Sequence, residues 1–156
     1  MNIQRTIQQL DAWHTFYCDR LGAYCTRCDA YADRPTYELY LRGGRRAGRY
    51  SPRRHLCQYS LPYALLYGAR YEEVVAHECV HAHQCALMPG CKFHGELFLH
   101  LMRSVCGFRH AGFRHSMPSR PTVSLGKLLM LKLPHTRGVS QLSLPQLRAA
   151  ACQGGR

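Results

Sequence analysis

Residues 77–81 read His77-Glu78-Cys79-Val80-His81, and a second His94-Gly95 pair follows after an intervening Pro89-Gly90. This pattern constrains the fold more than any other feature of the chain. On a helix, positions i and i+4 share a face, so His77 and His81 can reach one ion only if residues 71–87 are helical. Val74, Val75, Cys79 and Ala82 supply an apolar stripe at helical spacing, which predicts a helix from Tyr71 to Leu87. Pro89-Gly90 ends that run and turns the chain back. A second helical run from Glu96 to Val105 then carries His94 at its entrance.

The residue types fit hydrolytic metal chemistry. Neutral imidazole suits Zn²⁺, and a catalytic zinc keeps three protein ligands and one open position. Glu78, next to the first ligand, lies beside that position. A carboxylate there can take a proton from water and later return one to a leaving amine. A histidine pair with this spacing and an intervening Glu is a signature of helix-borne metalloprotease sites.

The third ligand is chosen among several residues. A glycine three residues and a histidine six residues beyond His81 would extend the motif along the same helix, but Gln84 and Leu87 stand there. His83 projects roughly 120° from His77 and roughly 160° from His81, at ~100° of rotation per residue. His100 lies more than a turn further along the returning helix, which suits a surface or supporting position. Glu96 is the one carboxylate in reach. Cys85 and Cys91 have the right chemistry, but thiolates are more typical of closed structural sites. His94 is the expected third ligand.

The combination His77-Glu78-x-x-His81 with His94-Gly95-x-x-Phe98-x-x-Leu101-Met102 resembles the SprT-like metalloprotease domain, the family that includes Spartan. Upstream, Arg46-Ala47-Gly48-Arg49-Tyr50 and His55-Leu56-Cys57-Gln58-Tyr59-Ser60 resemble the short strands that precede the family's helices, and Tyr71–Ala76 resembles its run into the motif helix. The resemblance covers roughly residues 5 to 107. It implies a zinc metalloendopeptidase acting on proteins bound or crosslinked to DNA. After Cys106 only Cys152 remains, so the tail has too few cysteines for the zinc ribbon that many relatives carry. No motif for binding ubiquitin or a sliding clamp is visible either.

Composition bears on partners and compartment. The net charge is +12, and from Leu97 to Arg156 there are nine Lys or Arg and no Asp or Glu. Arg42, Arg45, Arg46, Arg49, Arg53 and Arg54 place six guanidinium groups within thirteen residues. Arg suits bidentate phosphate contact, so sequence-independent DNA binding is the expected use of this cluster. The competing readings are an anionic membrane surface or a solvated face. Without a base-reading motif, no sequence preference is expected. No stretch approaches the ~20 apolar residues of a membrane span. The polar start and the odd count of nine Cys point to reduced thiols and a cytoplasmic or DNA-associated location.

The remaining pattern predicts an α+β fold. A helix spans residues 5–20, with Ile7, Leu10, Ala12-Trp13 and Phe16-Tyr17 on its apolar face. Strands are expected at Thr36–Leu41, Arg45–Tyr50 and His55–Ser60, with a turn at Gly43-Gly44, forming a small antiparallel three-stranded sheet. A short helix begins at Pro62 and ends near Gly68. Residues 1–107 form the expected metalloprotease domain, and 108–156 a basic, partly mobile extension. In that extension Phe108–Pro121 reads as loop, Val123–Leu133 as a strand or short helix, and Pro134 onward as mobile. His14, Cys18, Cys25 and Cys28 form a candidate second zinc set. A non-enzymatic nucleic-acid-binding module with a structural zinc would also account for the charge and the Cys and His content, but it gives Glu78 no role.

Overall fold

The computed structural model describes residues 3–41, 46–109 and the two-residue strand Gln141–Leu142. Helix α1 runs Ile3–Arg27. Its buried residues, Ile7, Leu10, His14, Tyr17, Cys18, Leu21 and Cys25, recur every three or four positions and form one face. The helix outlasts residue 20 because Leu21 and Cys25 continue the buried face. Asp29, in the left-handed region at φ 54°, follows its end.

Strands β1 (Thr36–Tyr40), β2 (Gly48–Ser51) and β3 (Leu56–Ser60) follow, with a one-turn Pro52–Arg54 helix between β2 and β3. Strand β4 is Gln141–Leu142, and the sheet order is β2-β3-β1-β4. The α+β class holds, but the sheet is mixed rather than antiparallel. β2 pairs antiparallel with β3, whereas β1 pairs parallel with β3, Thr36 facing Leu56 and Tyr40 facing Ser60. Burial explains the difference. Four of the five β3 residues, Leu56, Cys57, Tyr59 and Ser60, are buried, so this strand takes the centre, covered on both faces. β2, with no fully buried residue, is left at the edge. The expected turn at Gly43-Gly44 and the segment Val123–Leu133 lie outside the described residues. So does the tail from Pro134 except for β4, which pairs antiparallel with β1.

Helix α2 (Leu61–Tyr67) starts directly from β3. The Ser60 side chain accepts from the Tyr63 N–H at 3.4 Å, and Pro62 occupies its first turn. Helix α3 (Glu72–Leu87) carries the motif, with Glu72 and Glu73 in its first turn. Every residue from Val74 to Gln84 is buried, on all sides of the helix rather than along one stripe. The helix is enclosed by α1, by β2 and β3, and by the returning helix. After the turn at Gly90 (φ 77°), helix α4 (Glu96–His100) runs into a π-helical turn, Leu101–Val105. None of the described helices is long and apolar enough to cross a membrane.

Candidate metal centre beside a buried glutamate

Three imidazoles converge where α3 meets the entrance to α4. One nitrogen from each of His77, His81 and His94 lies within 4.8 Å of the others. The ring centroids are 4.6 Å apart for His77–His81, 5.0 Å for His77–His94 and 4.7 Å for His81–His94. His77 and His81 are one helical turn apart on the inner face of α3. His94 reaches them because the chain folds back through the Gly90 turn, after which the Gly95 N–H bonds the Lys92 carbonyl at 3.1 Å. His94 is the exposed member of the set.

The side chains fit a first-row divalent cation. The Nε2 atoms of His77 and His94 are 3.1 Å apart. A tetrahedral zinc with bonds of ~2.0 Å separates its nitrogen ligands by ~3.3 Å, so little movement is needed. Removal from water holds His94 below the usual imidazole range, which keeps it in the neutral form that binds metal.

Phe98, fully buried on α4, forms the floor of the cluster. It stacks on His81 (5.1 Å, 27°) and meets His77 and His94 edge-on at 4.6 and 5.0 Å. Phe93 abuts His81 from the other side at 5.1 Å. These rings restrict the imidazoles to a narrow range of rotations and keep the centre dry on its inner side.

Glu78 is buried at 5% exposure, and burial pushes its pKa up to about 8. A backbone hydrogen bond from Tyr50 and the nearby Arg46 guanidinium pull the other way. Both belong to the β2 edge, which runs alongside α3 and faces this carboxyl group. The approach is close enough to require glycine. A Cβ built on Gly48 would stand 2.8 Å from Glu78 Oε1 and 2.8 Å from Val74 Cγ1. Tyr71, fully buried, fixes the start of β2 by donating its hydroxyl to the Ala47 carbonyl and accepting from the Ser60 N–H at 2.8 Å. Gly48→Ala is therefore expected to cost about 1–3 kcal/mol of stability through overpacking. It should also lower turnover by about tenfold or more, because Glu78 must shift. Thermal unfolding and a kcat measurement check the two halves separately.

The other sequence candidates separate from this centre. His83 is buried, its Nδ1 2.8 Å from the Cys79 carbonyl oxygen, and it lies outside the group of three. His100 is exposed and meets the Tyr24 hydroxyl at 3.0 Å. Glu96 is exposed in the first turn of α4. Cys91 lies 3.4 Å from the Gln84 amide nitrogen. The set His14, Cys18, Cys25 and Cys28 is not assembled: Cys25 faces the His83 carbonyl at 3.9 Å and Cys28 is exposed past the end of the α1 face. Arg46, Arg49, Arg53 and Arg54 are exposed on and beside β2, and Arg54 pairs with Glu38 at 3.0 Å. Arg42 and Arg45 lie outside the described residues. The contacts of Gly48, Tyr50 and Tyr71 around Glu78 were not read from the sequence. A glycine beside a strand pattern was the available signal for the first, and none marked the other two.

Comparison with curated proteins and with solved structures gave no match. The SprT-like family matches residues 17–118, about two thirds of the chain. That span takes in the second half of α1 from Tyr17, strands β1 to β3, the motif helix and the returning helix, together with all three imidazoles and Glu78. A helix-borne pair of imidazoles, a third from the returning strand of chain and a carboxyl group buried beside them thus sit inside one matched region, and the chain belongs to the SprT-like family, a metal-dependent family of the metalloprotease type.

Proposed function

We propose that the protein is a zinc-dependent endopeptidase whose substrates are proteins bound or crosslinked to DNA. The observation that carries the hydrolytic reading is the convergence of three imidazoles beside a buried carboxyl group at the edge of a sheet. His77, His81 and His94 would hold the ion through ring nitrogens. When bound, zinc supplies Lewis acidity, polarising a carbonyl and making water a better nucleophile at neutral pH.

The remaining chemistry belongs to the protein's own groups. Glu78 takes a proton from the attacking water at a carboxylate oxygen and passes it to the leaving amide nitrogen. Burial alone would keep this group protonated at pH 7. A divalent cation at the three rings opposes that effect, because an opposite charge favours the carboxylate. Among the described residues β2 ends the sheet, and an extended substrate can lie along it as an added strand. Such a substrate presents an internal peptide bond next to Glu78, which supports endopeptidase rather than terminal cleavage.

Arg46 stands near Glu78, and the exposed Arg49 and Arg53 belong to β2 and the turn that follows it, so a polyanion held by this segment would lie near the proposed cleavage site. This geometry, with the net charge of +12, supports DNA as the surface that concentrates substrate. If each of the three neutralises one phosphate, log K falls against log salt with a slope of about −2.7, or about 40-fold between 50 and 200 mM. Cleavage of a DNA-binding protein should rise on adding DNA, and the increment should disappear over that salt range. Cleavage indifferent to both DNA and salt would leave a peptidase without the nucleic-acid role. DNA binding without any cleavage would favour a non-enzymatic module with a structural zinc.

A further inference from the structure

A cleft of about 310 Å³ opens between α1 and the π-helical turn that follows α4. Arg20, Tyr24 and Arg27 line it from α1, and His100 and Ser104 line it from the opposite wall. The first three stand at i, i+4 and i+7, within about 60° of one another at ~100° of rotation per residue, so they share one helix face. The Tyr24 hydroxyl and His100 Nε2, 3.0 Å apart, link the two walls. None of these residues belongs to the three-imidazole centre. We propose that this cleft is a phosphate-binding site that holds the backbone of single-stranded DNA, an inference that rests on the nucleic-acid part of the reading above and not on the hydrolytic part.

The charges of the lining call for an anion. Arg20 and Arg27 are exposed, and the ion pairs among the described residues, Arg34 with Asp19 and Arg54 with Glu38, involve neither. Each guanidinium is held over an aromatic ring instead, Arg20 at 5.9 Å from the Phe16 centroid and Arg27 at 5.7 Å from that of Tyr24. A guanidinium placed on a ring keeps its N–H edge for acceptors, and its planar fork matches two phosphate oxygens. The exposed Ser104 hydroxyl adds a neutral donor from the other wall. Among the described residues no carboxyl group lines the cleft. Side chains of the tail cannot supply the anion either, because residues 97–156 contain no Asp or Glu.

The shape selects the form of DNA. The volume stands at the lower end of the ~300–1,000 Å³ of small-ligand pockets, which suits one nucleotide unit of a strand. Arg20 and Arg27 are about 10 Å apart along the helix axis, so adjacent phosphates of that strand fall to the two guanidiniums. A flexible single strand can enter a concave surface that a stiff duplex would bridge. Tyr24 is engaged by Arg27 and, at 5.8 Å, by the His100 ring, rather than free to stack a base. Binding is therefore through the backbone, without sequence preference.

The test follows the anisotropy of a short labelled oligothymidylate with the full chain, from about 50 to 200 mM salt. Two variants separate a built cleft from diffuse charge. Arg20→Gln/Arg27→Gln removes both cations. Ala23→Leu/Ser104→Leu, at exposed positions that line the cleft, fills it with no change of charge. The arginine variant should lower the magnitude of the slope of log K against log salt by about 1.4, from two contacts at about 0.7 each. Wild type should thus lose about sevenfold more affinity than this variant over that salt range. The filled cleft should reproduce the loss of slope. Wild-type binding by the filled cleft, with loss only in the arginine variant, overturns the proposal in favour of diffuse charge. So does wild-type oligonucleotide binding by both variants with loss of binding to phosphatidylserine vesicles, which would assign the cleft to lipid headgroups. Loss confined to Arg49→Gln/Arg53→Gln removes this site and leaves the DNA reading at β2 standing, whereas no binding by wild type removes both.

Discussion

Glu78→Gln is expected to abolish proteolysis while leaving the fold and the metal in place. The amide is close in size to the carboxyl group, and a buried Glu78 that is protonated without metal already tolerates a neutral group at that position. Gln cannot take the proton from water, so general-base catalysis is lost, a contribution of about 10²–10⁴ in rate. Metal content should be unchanged, because the three ring nitrogens do not include this residue. The readouts are kcat/KM on a DNA-bound protein substrate and metal analysis of the same preparation. Cleavage within about threefold of wild type would remove Glu78 from the reaction, the residual allowed being far below the effect expected of a lost base.

His94→Ala carries the second large effect. His94 is the exposed member of the three imidazoles, so its truncation creates no buried cavity, and the circular dichroism of the protein should not change. Losing one ligand of three should weaken metal binding at this centre by more than about 100-fold, since even indirect support of a ligand is worth about 10–100-fold. Activity should fall with it and return only at high added zinc. Glu96→Gln is the control. Glu96 is exposed at the start of α4 and outside the cluster, so its replacement should leave both metal and activity unchanged. Loss of metal in Glu96→Gln with retention in His94→Ala would assign the third ligand to the carboxylate.

The two clusters of converging His and Cys side chains were not equally legible in the sequence. The 71–87 helix, the turn at Pro89-Gly90 and the return of His94 follow from residues close together in the chain, and periodicity carries that information. The amphipathic stripe expected for the motif helix understated its burial. Polar groups such as His77, Glu78, His81 and Gln84 are buried along with Val74 and Val80, because the helix passes through the middle of the fold. Three short strands with a turn signal at Gly43-Gly44 predict an antiparallel sheet. Burial instead inserted β3 between β1 and β2. Similarly, His14 and Cys18 invited a pairing with the nearby Cys25-x-x-Cys28, whereas folding gives them Cys57 and Cys79. Helical phase explains that outcome. Cys25 continues the α1 face but meets α3 two turns further on, against the His83 carbonyl, and Cys28 falls beyond the last turn.

By itself, then, the sequence determined the elements and the local chemistry: which segments are helical, which two imidazoles share a face, and which carboxyl group stands beside them. Those properties depend on spacings within a few helical turns, where backbone geometry converts sequence separation directly into distance. Only the tertiary structure decided which strand lies against the motif helix, why Gly48 must be a glycine, and which thiols gather behind the histidines. These depend on competition among apolar faces for the same core, and residues 14, 57 and 79 acquire a common environment only when that competition is resolved.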